Sequence, residues 1–350
     1  GPKRSSKTSV KNMLGEVLSP SLAATFWPKA GMKTLMGNVR AVRNGLHAGY
    51  RYAVIEMGAY RTGSIAEQCA LVRPTVGIIT AIGEMHLERF GSVDNIYRAK
   101  TELADALPQT GILICNGDNA GARKAASEFE RETTLLYGFD NTHEDLDCWV
   151  KSISFDESGS RFTLNWRGAD YELQSKLLGR PAIHNLAGVF AAACVLGADP
   201  LMVSAAIANI EPVSNRLAVE KRGDLTFLQD AYNSNPIGFR AALEVLHALP
   251  AKRRILITPG MVELGDRQFD ENRSAATEAS KVCDVVAVVG ETNRRALCEG
   301  LSEGGLNGDA VLTFATRERA FNQLESQYRA GDVILIENDL TDWYEDRTTF

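Results

Sequence analysis

The fold class is indicated first by Thr75-Val-Gly-Ile-Ile-Thr-Ala-Ile82, a mostly apolar run without regular alternation. Two similar runs flank it along the chain, Tyr52-Ala-Val-Ile-Glu-Met57 and Gly111-Ile-Leu-Ile-Cys-Asn116. Such runs are typical of strands that are buried on both faces of a parallel sheet. Segments with a helical period follow at residues 94–107 and 119–129. This alternation of strands and helices predicts an α/β domain with a mainly parallel sheet.

The pattern changes between residues 151 and 178, where polar and apolar residues alternate. Two segments rich in turn-forming residues interrupt this stretch, Asp156-Glu-Ser-Gly159 and Arg167-Gly-Ala-Asp170. Alternating strands broken by such turns predict a small antiparallel flank. An Ala-rich segment at residues 184–196 then predicts a helix.

A second α/β series begins at Arg216. Its predicted strands are Leu225–Asp230, Arg254–Thr258, Asp284–Val289, Ala310–Phe314 and Asp332–Glu337. We therefore place a domain boundary near residue 214, with one domain at 1–213 and a Rossmann-like α/β domain at 214–350. We also expect the native protein to begin before Gly1, because the motif that starts at Lys3 lacks the apolar strand that normally precedes it.

The composition argues for a soluble enzyme and against a nucleic-acid or membrane-surface protein. Of the 350 residues, 45% are hydrophobic, and 44 acidic against 38 basic residues give a net charge of −6. A negative balance does not suit a protein whose main task is to neutralise phosphates. The six cysteines form no C-x-x-C pair and have no histidine nearby, which predicts neither disulfides nor zinc and favours the cytoplasm. The longest uncharged stretch, residues 181–198, lacks the ~20 strongly apolar residues of a membrane span.

A candidate phosphate site lies near the N-terminus, at Lys3-Arg-Ser-Ser-Lys-Thr-Ser9 before a helical run at residues 10–18. A helix N-terminus and a lysine can share a polyphosphate, with Lys7 at the β/γ-phosphates and Thr8 at magnesium. The alternative is a solvated helix cap. No two of the thirty glycines are separated by a single residue, so the sequence has no dinucleotide fingerprint, which argues against a nicotinamide or flavin enzyme.

Three further candidates are chemically capable side chains in the first domain. Glu56 ends an apolar run at the edge of the sheet where α/β proteins bind ligands, and it suits either a magnesium ligand or a helix cap. His86 follows the next predicted strand and is either a ligand or a structural hydrogen-bonding group. Lys100, inside a predicted helix, is ordinarily a solvated charge.

The second domain has its own polar cluster, Asp230-Ala-Tyr232-Asn233-Ser-Asn235-Pro236, directly after a predicted strand. Two amides, an acid and an aromatic ring provide hydrogen-bonding groups for adenosine and phosphate oxygens. The alternative is an Asx-rich cap of the helix that follows. The residues alone leave these two interpretations open.

Taken together, these segments resemble the Mur ligase family. The matching segments, in the family's order, are Lys7-Thr8-Ser9, Glu56-Met-Gly58, His86-Leu-Glu88, Phe90-Gly-Ser92, Arg98-Ala-Lys100, His184-Asn185, Asn215-Arg216-Leu217, Asp230-Ala-Tyr-Asn-Ser-Asn-Pro236, Met261-Val-Glu-Leu-Gly265 and Gly331-Asp-Val-Ile-Leu335. They span nearly the whole chain. The resemblance implies a P-loop-type central ATPase domain followed by a C-terminal α/β domain.

The resemblance also implies an ATP-dependent amide ligase, in which a substrate carboxylate attacks the γ-phosphate and an amine captures the acyl phosphate. Within the family it favours D-alanyl-D-alanine addition in peptidoglycan precursor synthesis. The implied catalytic residues are Lys7, His86 and Lys100. The implied ligands of two magnesium ions are Thr8, Glu56, His86 and a carbamylated Lys100. The implied nucleotide contacts are Lys7, Thr8, Asn185, Arg216, Asp230, Tyr232, Asn233 and Asn235.

Three departures from the family pattern keep alternatives open. Lys3 and Ser6 stand where the phosphate loop has glycines, which let backbone N–H groups approach phosphate closely. No segment of the chain corresponds to a UDP-sugar domain, which would precede Gly1. Glu337-Asn-Asp-Leu-Thr-Asp-Trp-Tyr344 replaces a Lys-Gly-Ser-Arg type segment. The alternatives are a related ligase for another peptide or amino-acid polymer, and a non-catalytic paralogue.

Overall fold

The computed structural model describes residues 6–28, 32–83, 90–139, 142, 144–213, 216–231 and 234–338. The chain divides into two compact units. The first consists of residues 1–153, 161–175 and 182–210, and the second of residues 154–160, 176–181 and 211–350. The predicted magnesium ligand His86 and the predicted nucleotide contacts Tyr232 and Asn233 lie outside the described residues.

Eight of the described strands belong wholly or mostly to the first unit. They are β1 Thr25–Phe26, β2 Tyr52–Ala53, β3 Val76–Ile79, β4 Ile112–Asn116, β5 Thr133–Gly138, β6 Cys148–Asp156, β7 Gly159–Trp166 and β8 Ala169–Ser175. Strands β3 to β8 form a six-stranded sheet in that order, and its β3 to β6 strands are parallel. Two-residue connections join β6, β7 and β8, which requires antiparallel neighbours. The antiparallel flank is therefore confirmed.

Its helices are α1 Ser6–Ser21, α2 Leu35–Gly45, α3 Ser64–Val72, α4 Val93–Asp105, α5 Ala120–Glu128, α6 Arg180–Val195 and α7 Pro200–Ala208. Helix α5 packs through Ala122 and Ala125 onto Leu113 and Cys115 of β4. Alanine faces of this kind allow helix and sheet to approach closely. The same device recurs on α6, whose residues 191–193 are fully buried. The Ala-rich helix predicted from the sequence is thus a core element.

The predicted strand at residues 52–57 is shorter in the structure, where only Tyr52 and Ala53 pair with β1. One further hydrogen bond, from Val54 N to Phe26 O at 2.8 Å, ends the pairing. The partner strand β1 stops at Phe26, so residues beyond Val54 have no ladder to join. The segment that carries Glu56 is therefore extended chain held by other contacts.

The second unit contains strands β9 Ala218–Arg222, β10 Leu225–Asp230, β11 Arg253–Thr258, β12 Val285–Val289, β13 Val311–Phe314 and β14 Asp332–Glu337. Its helices are α8 Pro236–Ala248, α9 Gln268–Ala279, α10 Arg294–Glu303 and α11 Arg317–Glu325, with 3₁₀ turns at Gly265–Arg267 and Gly308–Ala310. The strand order is β13-β12-β11-β14-β10-β9, and all pairs are parallel except β9 with β10.

The last strand of the described chain, β14, lies between β10 and β11 and is buried along its whole length. Leu335 joins one apolar cluster, whereas Ile334 and Ile336 join another, because successive side chains point to opposite faces of the sheet. Helices on both faces supply the rest of each cluster. Adjacent strands therefore bring Asp230, Thr258 and Glu337 to one carboxyl edge of this sheet.

The predicted α/β class, with mainly parallel sheets and a small antiparallel part, is confirmed. Among the residues that the structure describes, no helix combines the length and the apolar character needed to cross a bilayer.

Candidate active site

The N-terminal turn of α1 lies against the segment that follows β2. Thr8 is 3% exposed, and its Oγ1 donates a hydrogen bond of 2.7 Å to Glu56 Oε2. Lys7 Nζ donates to Met57 O at 3.1 Å. The structure thus brings together Lys7, Thr8 and Glu56, which are separated by about fifty residues in the sequence. This cluster is at a helix N-terminus, where the helix dipole favours negative charge.

One carboxylate oxygen of Glu56 has no contact with a hydrogen-bonding group in the part of the chain that the structure describes. The residue is 5% exposed, and its Oε1 has no hydrogen-bond partner within the described ranges. Leaving a buried acceptor unpaired is costly, so this oxygen fits a ligand better than it fits a structural role. Carboxylate and hydroxyl oxygens are ligands that magnesium prefers. The arrangement at Thr8 and Glu56 therefore fits a magnesium ion.

A complete metal site is not formed by acidic, histidine and cysteine side chains alone: within the described ranges, no three such residues cluster. Glu56 and the Thr8 hydroxyl are two of the three described members of the predicted ligand set. Lys100 is the remaining described member, and it contributes no metal ligand as an ammonium ion.

Lys7 is held in a mostly buried position, and burial lowers the pKa of its ammonium group. The carboxylate of Glu56 acts in the opposite direction, whereas the charge of Lys33 lowers the pKa further. Lys33 approaches through its backbone, because its carbonyl accepts a hydrogen bond of 2.8 Å from Gly58 N. A Cβ at Gly58 would lie 2.7 Å from this carbonyl oxygen, so the close approach requires glycine.

Lys100 lies on α4 and is half-buried rather than fully solvated. Its Nζ donates a hydrogen bond of 2.9 Å to Ala81 O, directly after β3. Burial, together with the positive charge of Lys7, lowers the pKa of Lys100 to about 8. The Lys7 charge therefore acts on Lys100 as well as on Glu56, which associates Lys100 with this cluster. A lowered pKa also makes the neutral amine, the nucleophilic form, more abundant near neutral pH.

Two buried amides, which the sequence did not single out, hold the segment that carries Glu56. Asn38 is fully buried on α2, and its Nδ2 donates to Glu56 O at 3.2 Å and to Gln68 Oε1 at 2.8 Å. Gln68 Nε2 donates in turn to Gly58 O at 3.1 Å and Ser64 O at 2.7 Å. Their only sequence signal is a polar residue on the buried face of an otherwise ordinary helix. These contacts replace the missing strand ladder around Glu56.

The predicted nucleotide contact Asn185 lies in the first unit, on α6, and is 9% exposed. The preceding residue is tied down, because His184 Nε2 lies 3.1 Å from Asp118 Oδ2. The ring of His184 also packs against Tyr137 and Phe139, with centroids 5.0 and 5.6 Å apart. The orientation of this helical turn is therefore well determined.

Arg216, Asp230 and Asn235 lie in the second unit. Asp230 Oδ1 accepts a hydrogen bond of 3.2 Å from Leu217 N. Burial raises the pKa of Asp230 to about 7, although this hydrogen bond and the charge of Arg216 oppose the shift. Asn235 is the N-cap of α8, since its Oδ1 accepts from Gly238 N at 3.0 Å. The helix-cap interpretation therefore holds for Asn235, and Arg216 and Asp230 lie close enough to interact.

The comparisons with known proteins agree with the two units. The family description "Mur ligase middle domain" matches residues 5–195, and "Mur ligase, glutamate ligase domain" matches residues 215–337. These matches cover most of the chain. The chain belongs to the Mur ligase family, and the family prediction from the sequence is confirmed.

Individual relatives point to one branch of this family. The UDP-N-acetylmuramoyl-tripeptide–D-alanyl-D-alanine ligase of Mycobacterium tuberculosis is 32% identical over an alignment that covers 95% of this chain and 68% of the relative. A crystal structure of MurF from Acinetobacter baumannii has a TM-score of 0.81 and 24% identity, covering 96% of this chain and 72% of that one. The MurF ligase of Thermotoga maritima in complex with ADP has a TM-score of 0.79 and 23% identity, covering 96% and 75%. The two crystal structures share the fold.

Proposed function

We propose that this chain is an ATP-dependent amide ligase that joins D-alanyl-D-alanine to a UDP-N-acetylmuramoyl-tripeptide. The observation that supports it best is the buried cluster of Lys7, Thr8 and Glu56, with one carboxylate oxygen left open. The relative from Mycobacterium tuberculosis, whose name states this reaction, supports the choice of substrates. The partners are thus a substrate with a free carboxylate, an amine acceptor and ATP, in the cytoplasm.

The chain's own residues would mainly position the reactants, because phosphoryl transfer needs alignment and charge stabilisation more than covalent help. Lys7 supplies a positive charge beside Glu56 for the phosphate oxygens of ATP. The N-terminal turn of α1 adds backbone N–H groups that would also donate to these phosphate oxygens. The proposed further nucleotide contacts are Asn185, Arg216, Asp230, Tyr232, Asn233 and Asn235.

The proposed ligands of two magnesium ions are Thr8, Glu56, His86 and a carbamylated Lys100. When bound, the metal neutralises phosphate charge and favours attack by the substrate carboxylate. Carbamylation joins the neutral amine of Lys100 to carbon dioxide, forming one N–C bond and releasing one proton. It converts a cation beside Lys7 into an anion, which suits a metal site better than two neighbouring ammonium groups.

The domain division proposed with this function is 1–213 for the ATP-binding part and 214–350 for the C-terminal part. The matched families leave residues 196–214 between them, which supports a boundary close to residue 214.

The test is ADP release by the full-length native protein with UDP-N-acetylmuramoyl-tripeptide, D-alanyl-D-alanine and Mg-ATP. Lys7→Ala should lower the rate about 10²–10³-fold, because a single preorganised charge-stabilising group has this effect. Lys281→Ala, which removes an exposed lysine of the second unit, is the matched control and should keep the native rate. Turnover with another amine but not with D-alanyl-D-alanine would favour a ligase for another peptide or polymer. Absence of Mg-ATP binding by the native protein would favour a non-catalytic paralogue.

A further inference from the structure

Glu337 is a buried carboxyl that the proposed reaction does not use. It ends β14 and is 0% exposed. Thr258 Oγ1 donates to its Oε2 at 2.9 Å, and the hydroxyl of Ser234 contacts its Oε1. Among the described residues, no lysine, arginine or histidine forms an ion pair with it. Burying a carboxylate without a cation is costly, so the carboxyl needs another way to reduce its charge.

A second carboxyl occupies the neighbouring position. Asp230 and Glu337 are register partners on the parallel strands β10 and β14. Paired residues of adjacent strands lie about 5 Å apart and point to the same face of the sheet. The pKa of Glu337 is raised to about 8. Burial is the largest cause, and the negative charge of Asp230 raises the pKa as well. Arg216 acts on Asp230.

The hydroxyl contacts oppose this shift, because hydrogen bonds donated by Ser234 and Thr258 lower the pKa of Glu337, but they are also compatible with one bound proton. Thr258 Oγ1 accepts a hydrogen bond of 2.9 Å from Gly260 N, so its own proton is free for Glu337 Oε2. The hydroxyl of Ser234 donates to the other oxygen, Oε1, and a hydroxyl can accept instead when the carboxyl is protonated. A protonated Glu337 therefore satisfies both of its oxygens without any further group.

The residue after Glu337 links the pair to the proposed nucleotide segment. Asn338 N donates to Asp230 O at 3.0 Å, and its Oδ1 accepts from Ser234 N at 3.4 Å. Its Nδ2 donates to Gly260 O at 2.6 Å. Asn338 has a φ of 61°, in the left-handed region that asparagine tolerates better than most residues. The end of β14 thus contacts Asp230 and Ser234, the described residues on either side of the proposed nucleotide segment.

We propose that Glu337 is a positioning residue for Asp230 and Ser234, the described residues that flank the proposed nucleotide segment, and that Glu337 and Asp230 together carry a single negative charge in the working protein. Only the part of this inference that concerns nucleotide binding rests on the proposed function. A second negative charge would repel Asp230 and would open the contacts to Ser234. Nucleotide affinity and folding stability should therefore both fall as pH rises and the shared proton is lost.

The test compares the native protein with Glu337→Gln, which keeps the shape and cannot ionise. In the native protein the pKa of Glu337 is raised above its unfolded value of about 4.5, so the folded state holds a proton that the unfolded state releases. Stability then decreases as pH rises from about 4.5 to about 8. The melting temperature should fall between pH 6 and pH 9 in the native protein, and less in Glu337→Gln. The exposed Glu318→Gln is the matched control and should behave as the native protein does.

The second arm measures the Kd of Mg-ATP by calorimetry at the same pH values. Between pH 7 and pH 9 the protonated fraction of a group with a pKa near 8 falls about tenfold, so the native Kd should rise by about this factor. The Kd of Glu337→Gln should change little. If both proteins show the same pH dependence of melting temperature, the single-charge assignment is wrong. If only the melting temperature distinguishes them, the positioning role is wrong.

Asp230→Asn provides an independent variant in case Glu337→Gln folds poorly. Removing the charge of Asp230 should lower the pKa of Glu337, so the stability decrease should move to lower pH. An unchanged midpoint would contradict the coupling between the two carboxyls. Absence of Mg-ATP binding by the native protein at every pH would refute the proposed function, whereas the melting temperatures would still decide the charge of the pair.

Discussion

Two buried glutamates, Glu56 in the first unit and Glu337 in the second, have neighbours of opposite charge. Glu56 lies beside the charge of Lys7, accepts one hydrogen bond from Thr8 and has one oxygen without a partner among the described residues. Glu337 contacts two hydroxyls, with an acid in the neighbouring register position. The first arrangement leaves a coordination position open for a cation, whereas the second favours a bound proton. The chemistry of a buried carboxyl is thus decided by its neighbours rather than by its burial.

The largest expected effect comes from replacing the carboxylate of Glu56, whose Oε1 is the proposed metal ligand. Glu56→Gln keeps the size of the side chain but replaces a charged oxygen, and it should lower Mg-dependent ADP release about 10²–10³-fold. The exposed Glu130→Gln in the same unit is the control and should leave the rate unchanged. A Glu56→Gln protein with the native rate would place the metal elsewhere and remove the contrast with Glu337.

A second prediction concerns Lys100, whose carbamylation would add an anion to the Glu56 cluster. Protein kept without carbon dioxide should lose activity about 10–100-fold, because removing a group that supports a metal site has an effect of this size. The activity should recover when bicarbonate is added. At a fixed concentration of dissolved carbon dioxide, recovery should be faster at pH 9 than at pH 7. The reason is that the pKa of Lys100 is lowered to about 8, so the neutral amine increases over this range. Recovery that is independent of bicarbonate would contradict this assignment.

A third prediction tests how far the Glu337 contacts stabilise the second unit. Glu337→Ala removes a fully buried side chain and leaves the hydroxyls of Ser234 and Thr258 without their partner. It should lower the free energy of unfolding by about 2–4 kcal/mol, measured in denaturant at pH 7. The smaller change Glu337→Gln should cost clearly less. Equal losses for the two variants would show that the hydroxyl contacts contribute little.

The smallest expected effect is at Asn235, which the resemblance places among the nucleotide contacts and the structure places at a helix cap. Asn235→Ala should lower stability by about 1 kcal/mol, and Asn235→Ser should restore most of it, because serine also caps helices. If the cap is its whole role, the Kd of Mg-ATP should stay native in Asn235→Ser. A weakened Kd in this stable variant would support the nucleotide contact as well.

Much of the fold could be predicted from the sequence because it depends on local patterns. The apolar runs at residues 75–82 and 111–116 contain strands β3 and β4, although β3 covers only Val76–Ile79, and the alternating stretch after residue 151 is the antiparallel flank. The strand predicted at residues 52–57 was too long, since its length depends on a partner, β1, that stops at Phe26. Hydrophobic pattern alone carries no information about where a partner strand ends.

The site was predicted less completely, for a similar reason. Lys7, Thr8 and Glu56 follow recognisable local motifs, and the structure brings them together. Asn38 and Gln68 support the same segment from two helices, but nothing in a helical pattern shows which distant carbonyl a buried amide will meet. The pairing of Asp230 with Glu337 likewise depends on β14 being inserted between β10 and β11.

The most direct test of the central claim is calorimetric titration of ATP into the native protein and into Glu56→Gln, each with and without magnesium. If the open oxygen of Glu56 is a metal ligand beside the Lys7 charge, magnesium should strengthen ATP binding to the native protein markedly and should have little effect on the variant. Equal enhancement by magnesium in both proteins would contradict the account.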